Sequence, residues 1–226
     1  MKIFTFIFAR GGSKGIKDKN IIKINNRPLI YYSIVIAKKI SGEDVYVSTD
    51  SLKIKKISEK YGAKVIFRPK NLSKDNSPEI LAWKHAVKYL NRKNIFFDIF
   101  LSLPTTSPLR SLKDIWKVIK LLKKCDFVVT GSASKRSPWF NMLRVEKNLN
   151  AKIFMQQKTK YTNRQMAPRT YDLTTVAYAS RPSYIMRMKN IFDGKVKLSE
   201  IPTSRALDID ELFDLKIAKL LMKRWI

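Results

Sequence analysis

Lys2-Ile3-Phe4-Thr5-Phe6-Ile7-Phe8-Ala9-Arg10-Gly11-Gly12-Ser13-Lys14-Gly15-Ile16-Lys17-Asp18-Lys19-Asn20 decides how the rest of the chain is read. Residues Lys2 to Phe8 mix β-branched and aromatic types in a short run, the composition of a buried strand. After Ala9 the run gives way to a turn with glycine at Gly11, Gly12 and Gly15. Glycine tolerates positive φ, so consecutive backbone N–H groups can curl into a concavity that attracts phosphate oxygens. Arg10, Lys14 and Lys19 surround that concavity with fixed positive charge, and the Arg10 guanidinium can grip two oxygens at once. A polyphosphate is the expected guest, held at a strand's carboxyl end where open α/β sheets bind ligands. Both standard phosphate loops fail on spacing. Gly15 is followed by Ile16 and Lys17, not by Lys and a hydroxyl residue, and the stretch contains no G-x-G-x-x-G. The plain alternative is a basic glycine turn on a lysine-rich surface.

At 226 residues with 45% hydrophobic side chains, residues 1–226 can bury one substantial core and read as a single domain. No apolar run approaches the roughly 20 residues needed to cross a bilayer. The apolar start runs straight into the glycine turn without a small-residue cleavage site, so it reads as a strand, not as a signal peptide. Cys125 is the only cysteine, which excludes an intrachain disulfide and a thiolate metal cluster and fits a reducing, cytoplasmic setting. The net charge of +28 taken alone points to anionic partners. Lysine is nevertheless spread along the whole chain, with no aromatic RNP pattern, zinc spacing or basic heptad, so neither a specific nucleic-acid partner nor a membrane is expected.

Beyond the turn, helical and strand patterns alternate. Pro28 suits the first position of a helix to about Ile40, which Gly42 ends. A strand over 45–49 ends in Asp50, a helix over 51–61 closes at Gly62, and Lys64 to Phe67 form a third strand that delivers Arg68 to its C-terminal end. Ser77 is a good N-cap for a helix over 78–91. That helix carries the lone His85, which has no partner motif and reads as packing. Phe97 to Leu103 run into Pro104-Thr105-Thr106-Ser107-Pro108-Leu109-Arg110, where two prolines stiffen a hydroxyl-rich turn before a helix capped by Ser111 and Asp114. This alternation predicts an α/β fold, a Rossmann-like three-layer sandwich with a mostly parallel sheet. Residues 135–171 break it, and strands return at 174–179 and 196–201. In the closing Ala206-Leu207-Asp208-Ile209-Asp210-Glu211-Leu212, residues two apart in an extended segment face the same way. Asp208 and Asp210 can then present two hard carboxylates suited to Mg²⁺. The structural alternative makes Asp210 the cap of a final helix, with Glu211 and Asp214 complementing its dipole.

Taken together, the ordered motifs resemble the acylneuraminate (CMP-sialic acid synthetase) cytidylyltransferase family. They are Ala9 to Gly15 with Lys19-Asn20, Ser48-Thr49-Asp50, Arg68-Pro69, Leu72 with Asp75, Thr106 to Arg110, and Ala206 to Leu215. The resemblance covers nearly the whole chain and implies a nucleotide-diphospho-sugar transferase-like fold. It also implies transfer of CMP from CTP to the anomeric hydroxyl of a nonulosonic, sialic-acid-like sugar acid, with release of pyrophosphate. Arg10 and Lys19 are then the expected catalytic residues. Ala9, Gly11, Gly12, Ser13, Lys14, Gly15, Asn20, Arg68, Glu79, Pro104 and Thr105 are expected at the nucleotide. Thr106, Ser107, Arg164 and Gln165 are expected at the sugar, and Asp208 and Asp210 on Mg²⁺. Residues 135–171 become a small dimerisation insertion of a homodimer, reaching toward the neighbouring subunit's site. Arg164 reads equally as an exposed loop arginine.

The chain departs from the family at several points. Pro104 stands where sialic-acid members place a glutamine on cytosine, leaving the base to backbone groups or to Asn20 and Thr105. Glu79 stands where serine is usual, and Asp172 to Tyr178 replace an arginine and an asparagine near the sugar. Trp139-Phe140-Asn141 is similar to the branch acting on legionaminic acid or related bacterial sugars. A 3-deoxy-manno-octulosonate cytidylyltransferase and a nucleic-acid-binding protein on a related scaffold are the competing readings.

Overall fold

The computed structural model describes residues 1–13, 15–74, 76–155, 161 and 164–223. Strands and helices follow in the order β1 (Ile3–Phe8), β2 (Lys23–Ile24), β3 (Arg27–Pro28), α1 (Leu29–Ser41), β4 (Val45–Thr49), α2 (Leu52–Lys60), β5 (Lys64–Phe67), α3 (Glu79–Asn91) and β6 (Ile99–Ser102). There follow α4 (Leu112–Leu121), β7 (Phe127–Ala133), β8 (Leu143–Val145), β9 (Ala151–Ile153), β10 (Tyr171–Ser180), α5 (Pro182–Arg187), β11 (Val196–Glu200) and α6 (Leu212–Met222). One seven-stranded sheet runs β11-β7-β10-β6-β1-β4-β5, parallel throughout except for β10, which is antiparallel to β6 and β7. The chain leaves β1 toward β4 and β5, then crosses back to place β6 on the other side of β1. Their carboxyl ends splay at that reversal, which is where such sheets open a ligand crevice.

The alternation in β1 explains the layering. Phe4 and Phe6 point to one face, where they stack with Tyr46, Phe97 and Phe100 and meet Trp83 of α3 and Tyr184 of α5 in one cluster. Ile7 and Ala9 point to the other, an aliphatic cluster completed by Ile34 of α1, Ile54 of α2 and Val118 of α4. Burying large rings on one side and branched aliphatics on the other fixes the strand's register, because a one-residue slip would exchange the two sets. A third cluster joins Ile16, Ile24, Leu29, Leu109, Ile209, Leu215 and Met222. Ile16 follows Gly15 and Ile209 lies between Asp208 and Asp210, so this burial draws the glycine turn and the closing acidic segment together.

Several element ends differ from the sequence-based expectation. Pro28 is the N-cap of α1, and its own residue pair closes a small β2–β3 hairpin across Asn25 and Asn26, both at positive φ (47° and 60°). Two asparagines tolerate that conformation well and are themselves a hairpin signal. Ser77 does not cap α3. Pro78 holds the cap position without a side-chain hydrogen bond. Ser111 and Asp114 do complete a reciprocal capping box on α4, and Arg205 adds two hydrogen bonds to Asp114, at 2.7 and 2.8 Å. Between β7 and β10 the chain leaves the sheet to form the β8–β9 ribbon, whose Leu143, Val145 and neighbouring Phe154 are exposed. Among the described residues no helix is long and apolar enough to cross a membrane.

Candidate active site

A cleft of about 540 Å³ opens at the carboxyl ends of β1, β5 and β6. Arg10 and Ser13 enter from the turn after β1, Arg68 from the end of β5, and Pro104, Thr105 and Thr106 from the turn after β6. Gly15, Lys19 and Asn20 form one wall, Glu79 and Leu72 another, and Asp210 and Glu211 the rim.

The glycine turn is held in place from three sides. Gly11 donates its N–H to Asp50 Oδ1 at 2.9 Å, and the Asn20 amide donates to the Arg10 carbonyl at 3.0 Å. Thr105 Oγ1 donates to Asn20 Oδ1, tying the turn after β1 to the turn after β6. Gly15 lies so close to the closing segment that a Cβ there would sit 2.6 Å from the Asp210 carbonyl oxygen. Lys19 Nζ meets Asp210 Oδ1 at 2.9 Å, and Ile209 donates its N–H to the Thr106 carbonyl at 2.9 Å. Arg10 donates to the Ser73 carbonyl at 3.5 Å across the mouth.

The turn after β6 rests on Arg110, which is buried and donates to Ser33 Oγ and to the carbonyls of Pro104 and Thr175. Burial pushes its guanidinium down to about 9, and Asp208 opposes that shift. A bulge in β10 between Thr174 and Ala179 turns Thr175 toward this turn, where its hydroxyl meets Ser107 at 2.7 Å and Thr106 at 3.1 Å. Bulges beside functional clefts re-aim side chains in this way. Asp208 Oδ1 is buried with no hydrogen-bond partner, while Asp210 is exposed on the rim.

Measured against the sequence-based assignments, the structure brings Arg10, Ser13, Gly15, Lys19, Asn20, Arg68, Glu79, Pro104, Thr105, Thr106 and Asp210 to one cleft. Others fall elsewhere. Ala9 is fully buried as an extension of β1, its N–H on the Ser48 carbonyl, and Ser107 is fully buried with its hydroxyl on Thr175. Gly12 is exposed, with nothing near its Cα that a side chain would meet. Gln165 lines a separate cavity of about 390 Å³ with Ser137, Arg169 and Tyr171. Lys14 and Asp75 lie outside the described residues, as does the side chain of Arg164, whose backbone is in the short turn Arg164–Met166. Asp210 is not the cap of α6; Glu211 is, in a reciprocal box with Asp214, which leaves the Asp210 carboxylate to Lys19. Leu72, Ser77 and Phe8 also line the cleft, and Arg110 and Thr175 brace it. Leu72 and Arg110 fall within the ordered motifs but with no role attached, and Phe8, Ser77 and Thr175 carry no motif. Of the last three, only Phe8, at the end of the first strand, had a position that could have marked it.

Among the described residues no group of three or more His, Cys, Asp or Glu side chains could hold a metal ion. The orphaned Oδ1 of Asp208 and the rim carboxylate of Asp210 fit a divalent cation only if a ligand supplies the remaining oxygens. Mg²⁺ favours that arrangement when it bridges to phosphates.

The glycines of the turn after β1 all lie outside the positive-φ region, and Asp208 does not line the cleft; what stands at the sheet's switch point is a glycine turn, a set of cationic side chains and an acidic rim of Asp210 and Glu211, the setting of a nucleotide-handling α/β fold. The chain belongs to the cytidylyltransferase family, whose profile matches residues 5–221. It is 34% identical to post-translational flagellin modification protein B of Campylobacter coli over 98% of this chain and 95% of that one. It is 33% identical to CMP-N,N'-diacetyllegionaminic acid synthase of Campylobacter jejuni over the same shares. A pseudaminic acid cytidylyltransferase of Campylobacter jejuni is 32% identical over 99% of this chain and 97% of that one. The fold superposes on CMP:2-keto-3-deoxy-manno-octonic acid synthetase complexed with CTP at a TM-score of 0.73, with 17% identity and all of both chains covered.

Proposed function

We propose that the chain transfers CMP from CTP to the anomeric hydroxyl of a nonulosonic acid. The hydroxyl oxygen bonds to the α-phosphorus, the α–β phosphoanhydride bond breaks, pyrophosphate leaves with the electron pair, and the hydroxyl proton passes to solvent. The observation that carries this reading is the meeting of Gly15 and Lys19 with Asp210, which sets a phosphate turn against an acid at one cleft. The relatives named for legionaminic and pseudaminic acids support a sugar of that class.

In this reading the N–H groups of the glycine turn bind the triphosphate. Arg10 and Lys19 stabilise the charge that develops on departing pyrophosphate, which costs little reorganisation because both are already held in place. Asp208 and Asp210 would hold Mg²⁺, which when bound supplies charge neutralisation at the phosphates. Thr106 faces the sugar end, and Ser107, through Thr175, fixes the turn that presents it. The ribbon between β7 and β10, with its exposed Leu143, Val145 and Phe154, serves a homodimer in which Arg164 and Gln165 of one subunit approach the other's sugar. An enzyme drawing on CTP suits a cytoplasmic location.

Crossing a panel of nucleoside triphosphates with nonulosonic and octulosonic acids, and reading products by mass, tests the proposal. The expected outcome is a CMP-nonulosonate and pyrophosphate that require CTP, Mg²⁺ and the sugar acid together. Product with octulosonic acid alone, or none, overturns it.

A further inference from the structure

Arg68 and Glu79 reach the same wall of the cleft from different elements, one off the end of β5 and one from the first turn of α3. Arg68 is 5% exposed, and its Nε is buried without a hydrogen-bond partner. Desolvation lowers its pKa, while Asp50 and Glu79 pull it back up from a distance and Arg10 pushes it further down. Solvent reaches Glu79 through the open cleft, yet protein crowds its carboxyl closely enough that desolvation raises its pKa, against the opposing pull of Trp83 and Arg68. The Trp83 indole N–H lies near but makes no hydrogen bond of normal geometry, and its Nε1 is left unpartnered. Buried polar groups are rarely left so, and here they lie directly behind the part of the cleft that Arg68 and Glu79 line. Phe8 and Leu72 flank the same wall with apolar surface. The place suits a flat ring that offers one donor edge and one acceptor edge.

Three other polar groups of the cleft are already engaged. Asn20 spends its amide on the Arg10 carbonyl and on Thr105, Thr105 spends its hydroxyl proton on Asn20, and the Pro104 carbonyl accepts from Ser33 and Arg110. Glu79, with only the Trp83 indole close by, lines the cleft with acceptor capacity to spare. Cytosine offers an N4 amino donor and an O2 acceptor, whereas uracil replaces that amino group with a carbonyl, and a carboxylate accepts from the first and repels the second. We infer that Glu79 is the residue by which this chain tells cytosine from uracil, its carboxylate accepting from the N4 amino group while Arg68 donates toward O2. The inference rests on reading the cleft as the CTP site and adds the determinant of base choice.

Equilibrium binding of CTP and of UTP, each with Mg²⁺ and without sugar acid, to the full-length wild type and to Glu79→Gln and Glu79→Ala tests it. A site built to bond a substrate N–H discriminates strongly against the analogue lacking it, so the wild type prefers CTP by about 10²-fold or more. Glutamine keeps the volume but can turn either its oxygen or its N–H₂ to the base. Its CTP:UTP preference therefore narrows at least about tenfold through a gain of UTP as well as a loss of CTP. Alanine removes the acceptor and the repulsion together, so the CTP:UTP preference collapses, whereas a loosened helix start weakens both nucleotides alike. Retention of the wild-type ratio in both variants, with CTP still bound, overturns the role of Glu79 while leaving the cytidylyl-transfer reading intact. A wild type that binds neither nucleotide, or both equally, overturns the inference together with the nucleotide site.

Discussion

Lys19 Nζ sits 2.9 Å from Asp210 Oδ1, joining the turn after the first strand to a segment 191 residues further along the chain. The Asp210 carboxylate is 68% exposed, so the pair contributes little to stability, as is usual for ion pairs open to water. Its value lies in holding a cation and an acid at one rim before a phosphate arrives. Lys19→Ala, and likewise Arg10→Ala, should lower kcat by roughly 10²–10³ while leaving the thermal midpoint close to wild type. Steady-state pyrophosphate release, paired with a melting curve, checks both halves.

Two glycines of the turn should behave differently from each other. Gly15→Ala forces a methyl to within 2.6 Å of the Asp210 backbone oxygen, so the acidic segment must move and kcat/KM for CTP should fall sharply. Gly12→Ala meets nothing within 4 Å and should be tolerated, with kcat/KM within a few-fold of wild type. Comparing CTP saturation curves for the two variants decides this.

Asp208→Asn keeps the shape of a half-buried side chain whose Oδ1 is buried without a protein partner but removes its charge beside Arg110. Turnover should drop by roughly 10²–10³, and the Mg²⁺ concentration giving half-maximal rate should rise. Near-normal turnover with an unchanged Mg²⁺ dependence in a folded variant would remove Asp208 from the cation site.

Asp114 gives the fold a pH-dependent tie. Burial alone would raise its carboxyl, but hydrogen bonds from Arg205 and Ser111 outweigh burial and hold it below the usual carboxylate range. A carboxyl depressed in the folded state contributes stability that is present above its unfolded value and is lost as pH falls through the folded one. Asp114→Asn should therefore cost about 1–3 kcal/mol near neutral pH. The gap between variant and wild type should close in denaturant titrations carried down toward pH 3. A gap that stays constant over that range would assign the cost to packing instead.

Local pattern carried most of the architecture. The aromatic and aliphatic alternation of Phe4, Phe6 and Ile7, the stop at Gly62 and the Ser111 cap are short-range signals, and each element stands where its signal put it. The glycine turn and the acidic ending were legible as separate pieces because residue type and spacing alone carry their chemistry. What joins them is long-range: the common burial of Ile16 and Ile209, which no window of sequence displays. The bracing roles of Arg110 and Thr175 were illegible for the same reason, since one acts through a carbonyl on a neighbouring turn and the other through a bulge in a strand from the far half of the chain. The alternative that made Asp210 the cap of the last helix turned on a choice between adjacent acids, which the position of Glu211 at the cap resolves.

Because Ile209 is pinned to the turn after β6 and Asp210 to the turn after β1, the cleft acquires its acidic rim from a segment that follows every strand of the sheet. During synthesis on the ribosome the sheet can therefore assemble and shelter its aromatic layer while the pocket remains chemically inert. Competence to transfer a nucleotide would then arrive in one late docking event, when the tail folds back across the opening.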